Sequence, residues 1–280
     1  MALTLKLEKG EVNLGDTVRA HVTYTNDGAA PVTVPKPELA LTSTSLHVMR
    51  RPDATEPESF LVRVKGHSGD VKVKPGESIS GVIEFPAVEA RGLYLEAMFA
   101  PTGNIHPQFI DTQCERSERV PLIVHAKGKK LHCKLHTEAG VITLEFFPDK
   151  AFNHVAAFVA LVQKGYYNGI KFHRVVPRFV IQGGDPTGTG SGGPGYKLPA
   201  EFNEIEHVPG ILSTARTSDP HSAGSQFFIC TDDCPSLDRQ YTVLGRVVDG
   251  MDAVMKIGAS ESNAGKFSMK KAEIFLEWPP

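Results

Sequence analysis

Cysteine and tryptophan are scarce, neither charge sign dominates, and no apolar run is long enough to span a bilayer. Cys114, Cys133, Cys230 and Cys234 are the four cysteines of a 280-residue chain. Their spacing forms no disulfide framework, and Cys230 to Cys234 is not a Cys-x-x-Cys redox pair, so ordinary reduced thiols are expected. Cys133 and Cys230 fall in strand-like segments and are expected to pack as small apolar groups. Lys plus Arg number 30 against 32 Asp plus Glu, for a net charge of −2. That balance supplies no general attraction to nucleic acid or to an anionic membrane, and a membrane span is excluded by hydropathy. The start, Met1 to Glu8, alternates apolar and polar residues and lacks the basic start and apolar core of a secretion signal. It reads as a first strand, and a cytoplasmic location is expected. The single tryptophan, Trp278, leaves intrinsic fluorescence to report on that end of the chain.

The length favours two domains, and the pattern is mainly β. Up to about residue 125 the chain reads as strand and turn. Val18, Ala20, Val22 and Tyr24 alternate with polar residues across Thr17–Asn26, the period of a half-buried strand. Asn26-Asp27-Gly28 follows as a turn. Phe60–Val64 and Ile79–Phe85 read the same way, punctuated by Lys74-Pro75-Gly76-Glu77, and Leu93, Leu95, Ala97 and Phe99 form another alternating face. Short strands at this spacing predict an immunoglobulin-like antiparallel β-sandwich over residues 1–125, although no Cys–Trp–Cys signature is present. Residues 126–130, small and basic, read as a linker.

A second domain is expected over residues 131–280. It opens with a hairpin, Leu131–His136 and Val141–Phe147 around Glu138-Ala139-Gly140. Val155, Phe158, Val159 and Val162 then make one apolar helical stripe, ended by Gly165. A second helix is expected over Gly250–Ile257 with Met251, Val254 and Met255 facing inward. Strands elsewhere, with two helices, suit a closed β-barrel whose ends are capped.

The stretch Phe172-His173-Arg174-Val175-Val176-Pro177-Arg178-Phe179-Val180-Ile181-Gln182-Gly183-Gly184-Asp185 carries the most chemistry. It puts an arginine, an aromatic ring and an amide on one extended segment. Gly224-Ser225-Gln226-Phe227-Phe228-Ile229 repeats the amide and aromatic pair. Taken singly, these residues have plain readings. Arg174 alone reads as a surface ion-pair residue, Phe179 and Phe228 as core, and Gln182 and Gln226 as partners for buried backbone groups. By strand alternation His173 faces away from Arg174.

With Lys164-Gly165-Tyr166-Tyr167-Asn168-Gly169, Gly210-Ile211-Leu212-Ser213, Leu237-Asp238 and Val243-Leu244-Gly245-Arg246-Val247 in the same order, residues 131–277 resemble a short, bacterial-type cyclophilin. That is the peptidyl-prolyl cis–trans isomerase family. The first 125 residues take no part in the resemblance. It implies a cofactor-free isomerase, with no metal, acting on proline-containing polypeptide clients and assisting protein folding. The resemblance implies Arg174 as the catalytic residue. It implies Phe179, Val180, Phe228 and Leu237 as the proline pocket, and Gln182 and Gln226 as amides engaging the substrate backbone. Ala215, Arg216 and Thr217 would pair with the peptide main chain, and Tyr241 stands where many eukaryotic members have histidine. Ser236, where tryptophan or phenylalanine is common, and Leu244, in place of a frequent phenylalanine, imply a less aromatic pocket. Arg178 stands where glycine is usual and adds positive charge.

Other readings stay open beside this one. A proline-peptide binding module with little turnover, or a scaffold whose working part is the first domain, fits the same sequence. A monomer is the default expectation. Gly188-Thr189-Gly190-Ser191-Gly192-Gly193 fits G-x-G-x-x-G, yet Pro194-Gly195 follows it, no helix opens there, and a mobile surface loop is the better reading. His132 and His136 share a strand face while Cys133 points the other way, which opposes a metal site. Ser225 lacks a nucleophile elbow and reads as a local hydrogen-bonding residue.

Overall fold

The computed structural model describes residues 2–35, 44–49, 59–61, 70–89, 92–99, 115–118, 120–125 and 128–277. Cys114, Trp278 and the Ala126-Lys127 part of the expected linker lie outside the described residues, as does the end of the expected Phe60–Val64 strand. The chain separates into two compact units, residues 1–125 with 196–199, and residues 126–195 with 200–280. Both are mainly β.

In the first unit, β1 (Ala2–Leu7), β3 (Thr17–Thr25) and β8 (Ser78–Pro86) form an antiparallel three-stranded sheet in that order. A second sheet runs β2 (Glu11–Asn13), β11 (Val120–His125), β9 (Gly92–Phe99), β5 (Thr44–Met49) and β6 (Ser59–Leu61), with β10 (Glu115–Arg116) also on β9. A short pair joins β4 (Val32–Pro35) to β7 (Asp70–Val73). The period of two is realised in full. Val18, Ala20, Val22 and Tyr24 are all buried, as are Leu3, Leu5 and Leu7 on β1, while the residues between them on β1 are exposed. The buried side of β1 packs towards β9, β10 and β11 of the larger sheet. Among the described residues one ladder departs from the antiparallel expectation, because β2 pairs with β11 in parallel.

The second unit holds one eight-stranded sheet. Its strands are β12 (Lys130–Thr137), β13 (Val141–Phe146), β14 (Arg174–Val176), β15 (Val180–Gly183), β16 (Ile211–Thr214), β17 (Phe227–Cys230), β18 (Val243–Asp249) and β19 (Met269–Glu277). The spatial order is β14-β15-β17-β16-β18-β13-β12-β19. No ladder joins the edge strands β14 and β19; a single bridge, Lys171 to Ser268, links the segments leading into them. The expected hairpin is present, with Gly140 at φ 145° in its turn.

Helix α1 (Phe152–Gln163) is more enclosed than a one-stripe pattern implies. Ten of its twelve residues are buried, including Asn153 and His154. Its first-turn donors are met from outside the helix: the N–H groups of Asn153 and His154 donate to the two carboxylate oxygens of Glu201 (3.1 and 3.0 Å). Its end is a Schellman motif. Gly165, at φ 69°, donates to Val162 O and Tyr166 N–H donates to Leu161 O. Helix α2 (Met251–Gly258) buries Ala253, Val254 and Ile257, but Met255 is 48% exposed and Met251 only half-buried. The inward face of α2 is thus rotated away from the expected methionines towards its smaller and β-branched residues.

The Asn26 turn is tied down from several sides. Asn26 is fully buried, its amide nitrogen donates to Val73 O (3.0 Å) and Ala30 O (2.9 Å), and its Oδ1 accepts from Gly28 N–H (3.0 Å). Replacing Asn26 by Ala strands a buried carbonyl, so we expect a loss of about 1–3 kcal/mol. A lowered midpoint of the first unit in urea unfolding measures it, and an unchanged midpoint contradicts it.

Candidate active site

Directly opposed residues in an antiparallel sheet point to the same face. On β14, β15, β17, β16 and β18 the register opposes Arg174 to Gln182, Gln182 to Phe228, Phe228 to Ser213, and Ser213 to Val243. One face of five strands therefore carries a guanidinium, an amide, an aromatic ring, a hydroxyl and an apolar side chain in a row. His173, before β14, is half-buried and Val175 buried while Arg174 is exposed, as alternation requires.

Polar and apolar parts divide this face. At the polar end Arg174 Nη1 donates to Gln182 Oε1 (3.2 Å), Gln182 Nε2 donates to Gln226 Oε1 (3.0 Å), and Gln226 Nε2 donates to the carbonyls of Gly190 and Gly192 (both 2.9 Å). The glycine-rich loop is thus anchored to the arginine through two amides. Its other anchor is Asp185, which is 1% exposed. Burial opposes the charge on Asp185. Hydrogen bonds from the Thr187 hydroxyl and from the N–H groups of Thr187, Gly192 and Gly190 outweigh it and hold the carboxyl down at about 2. A Cβ on Gly192 would stand 2.0 Å from Asp185 Oδ1, so this close wrap requires glycine there. Ser225 does serve local bonding: its hydroxyl donates to Gly184 O at 2.7 Å.

At the apolar end Val180, Ile211, Phe228, Cys230, Cys234, Leu237 and Val243 form one buried cluster, with Phe179, Ala215 and Tyr241 half-buried against it. The expected residues Phe179, Val180, Ala215, Phe228, Leu237 and Tyr241 therefore meet in one place. Tyr241 meets Phe228 edge to face (centroids 5.4 Å, 83°). Arg216 does more than its backbone position implied. Its guanidinium lies 4.6 Å from the Tyr241 ring centroid, with Nε donating to Gln240 O and Nη1 to Thr217 O, each at 2.9 Å. Thr217 is exposed, and its N–H donates to Ser222 Oγ (2.9 Å).

Two substitutions read as thinning the pocket separate here. Ser236 is exposed in the short 3-10 turn Pro235–Leu237. Leu244 is fully buried and absent from the apolar cluster, since its neighbour Val243 takes that face. Leu244 therefore takes no part in that cluster.

Sequence reasoning missed one group. His207, 1% exposed, lies with its ring stacked on Phe228 (centroids 5.9 Å, 24°). Its Nδ1 is 3.0 Å from Asp238 Oδ1 and its Nε2 is 2.9 Å from Ser213 Oγ. The three residues are ordered as in a hydrolytic triad, but Ser213 is fully buried, so no substrate reaches its hydroxyl. Nothing in the local sequence joins positions 207, 213 and 238. The metal alternative loses its geometry also: His132 packs tilted against the Phe275 ring (centroids 5.5 Å) and His136 pairs with Glu273 (2.7 Å).

Residues 132–275 match the family model of cyclophilin type peptidyl-prolyl cis-trans isomerase/CLD. A peptidyl-prolyl cis-trans isomerase of Synechococcus elongatus is 48% identical over 132 residues, covering 47% of this chain and 89% of that protein. A probable peptidyl-prolyl cis-trans isomerase of Brucella abortus is 47% identical over 135 residues, covering 44% of this chain and 69% of that one. Among solved structures, a cyclophilin type peptidyl-prolyl cis-trans isomerase of Cryptosporidium parvum, crystallised in the presence of the dipeptide Ala-Pro, is 31% identical with a TM-score of 0.49. It covers 51% of this chain and 98% of that chain.

The β14–β15 turn explains why glycine suits position 178. Phe179 N–H donates to Val176 O across Pro177-Arg178, and Arg178 sits at φ 57°, the third position of a type II turn. Its side chain is 90% exposed and its ion pair with Asp232 (3.3 Å) adds little. The left-handed conformation costs a non-glycine residue about 1–2 kcal/mol, and glycine gives back part of that through unfolded-state entropy. We expect Arg178→Gly to raise stability by roughly 0.5–1 kcal/mol. Thermal unfolding of the second unit tests this, and a lowered midpoint overturns it.

Proposed function

This chain belongs to the cyclophilin-type peptidyl-prolyl cis–trans isomerase family, and we propose from that premise which of its residues carry the reaction. The activity is rotation about X–Pro peptide bonds. An X–Pro amide resists rotation because nitrogen donates its lone pair into the carbonyl, a barrier of roughly 18–20 kcal/mol, and uncatalysed exchange takes tens to hundreds of seconds. At the twisted transition state that conjugation is lost and the nitrogen lone pair becomes a hydrogen-bond acceptor. A donor aimed there stabilises the transition state more than either ground state.

In this reading Arg174 is that donor. Its guanidinium is planar and permanently charged, and the bond to Gln182 uses one of five donors. Phe179, Val180, Phe228 and Leu237 grip the proline ring while the acyl side turns, and Tyr241 closes one wall. Gln182 orients Arg174, and Gln226 orients Gln182 and holds the glycine loop. Ala215, Arg216 and Thr217 line the path of the client main chain. The observation that supports the reading best is the opposed row Arg174–Gln182–Phe228, which sets the donor and the apolar cluster on one face. No cofactor or metal enters, because the reaction breaks no σ bond.

The same reading divides the chain into an accessory domain over 1–125, a linker over 126–130 and an isomerase domain over 131–280. We read the first as an immunoglobulin-like sandwich, supported by the packing of β1 towards the second sheet. We read the second as a barrel closed near Lys171 and Ser268, supported by their bridge. Proline-containing polypeptides are the clients, assistance to their folding is the role, and a monomer is the form. A reducing, cytoplasmic setting agrees with Cys133, Cys230 and Cys234 being free buried thiols; no helix among the described residues is long and apolar enough to cross a membrane.

Removing a single preorganised donor typically costs about 2.7–4 kcal/mol. Arg174→Ala is therefore expected to lower kcat/KM by about two to three orders of magnitude with the fold intact. NMR exchange on X–Pro peptides measures it. An unchanged rate refutes the assignment of Arg174, and peptide binding by the wild type with no acceleration of exchange makes the domain a binding module instead.

A further inference from the structure

His207 is a buried, titratable side chain that the proposed mechanism does not use, and it touches three elements that carry pocket residues. Its ring stacks on Phe228 of β17. Its Nε2 meets Ser213 of β16, the residue directly opposed to Phe228. Its Nδ1 and its backbone N–H both meet Asp238 Oδ1 (3.0 and 2.8 Å), one residue past Leu237. In return its carbonyl accepts from Cys234 N–H (2.7 Å), at the start of the turn that carries Leu237.

The hydrogen bonds assign the tautomer. A carboxylate only accepts, so Nδ1 carries the proton and donates to Asp238, and Nε2 accepts from the Ser213 hydroxyl. A ring held at both nitrogens cannot turn, and its flat face is fixed against Phe228. Tyr241 bears on the same phenyl ring edge-on. Phe228 is thus held between an imidazole and a phenol.

We propose that His207 is a positioning residue of the isomerase, which holds the Phe228 ring in the plane that grips the substrate proline by stacking behind it while Asp238 and Ser213 lock the imidazole. The inference rests on the assignment of Phe228 to the proline pocket. The pocket engages the pyrrolidine in ground state and transition state alike, so a loosened Phe228 weakens binding more than turnover.

Burial holds His207 below the ordinary histidine range, with Asp238 opposing, so the imidazole stays neutral near neutral pH. Asp238 is the charged group facing it, from the turn after Leu237, while Ser213 and Phe228 face it from β16 and β17. Below its pKa, Nε2 also carries a proton, and the Ser213 hydroxyl must turn its own hydrogen elsewhere in a site with no solvent.

The test is kinetics of full-length His207→Gln on an X–Pro peptide, beside wild type and Arg174→Ala. Loss of a ring stack predicts KM raised by between about two- and tenfold, with kcat nearly unchanged. A folded His207→Gln with wild-type KM overturns the proposal. Should that variant fail to fold, wild-type NMR decides: Phe228 ring resonances and KM are expected to move with the assigned His207 titration as pH falls. A Phe228 signal indifferent to that titration overturns the proposal. His173, whose pKa burial also lowers and which neighbours Arg174, is separated by its own assigned resonances. If Arg174→Ala is as fast as wild type, the site reading itself has failed; if only Arg174→Ala is impaired, the failure belongs to His207 alone.

Discussion

Cross-strand opposition in an antiparallel sheet is the constraint on which the site depends. Arg174, Gln182, Phe228 and Ser213 come from four strands, and their shared direction follows from register alone. A one-residue slip of β15 against β17 would turn Gln182 and Val180 to the other face and bring Ile181 in their place. The buried side chains of the opposite face, Ile181, Ile229 and Leu212, resist such a slip because it would move Ile181 out of its place opposite Ile229. Core packing on one side of the sheet therefore protects chemistry on the other.

A division of labour follows along this face. Apolar groups gather where the strands meet the Pro235–Leu237 turn, and hydrogen-bonding groups gather towards the glycine loop. Asp185 keeps the loop closed on itself, Gln226 ties it to the sheet, and Gln182 passes that order to Arg174. An exposed arginine ordinarily spends much rotamer freedom to hold one pose. Here the pose is shared with Gln182, which is held by Gln226, which in turn donates to the backbone carbonyls of Gly190 and Gly192. The G-x-G-x-x-G pattern, which as a sequence resembles a phosphate-binding turn, is in the structure a support for this arginine.

Buried polar groups lie against the apolar cluster. His207, Ser213 and Asp238 satisfy one another, which is what makes an imidazole tolerable at 1% exposure behind Phe228. Arg216 lies over the Tyr241 ring, with its donors turned to the carbonyls of Gln240 and Thr217. Ser236 contributes no ring to the cluster, and the rings that contact Phe228 are those of Tyr241 and His207.

Local periodicity was sufficient to find β1, β3, β8 and β9 of the first unit, because burial on one side of a strand writes itself as alternation at Val18–Tyr24 and Leu3–Leu7. It was also sufficient for the hairpin at Gly140 and the stop at Gly165, where backbone conformation demands glycine. The resemblance of separated blocks brought Arg174, Gln182, Phe179 and Phe228 forward as a group. Periodicity misjudged α2, since Met255 and Val254 are equally apolar in sequence and only the neighbouring β13 and β15 decide which is covered. It had no access to His207. Contacts among positions 207, 213, 228 and 238 arise from chain segments brought together by sheet order, and no short-range pattern encodes which strand lies beside which. The sequence by itself determined which residues are extended, which turn and which chemistry is present; tertiary structure alone decided which side chains share a face and which polar groups are sealed from water.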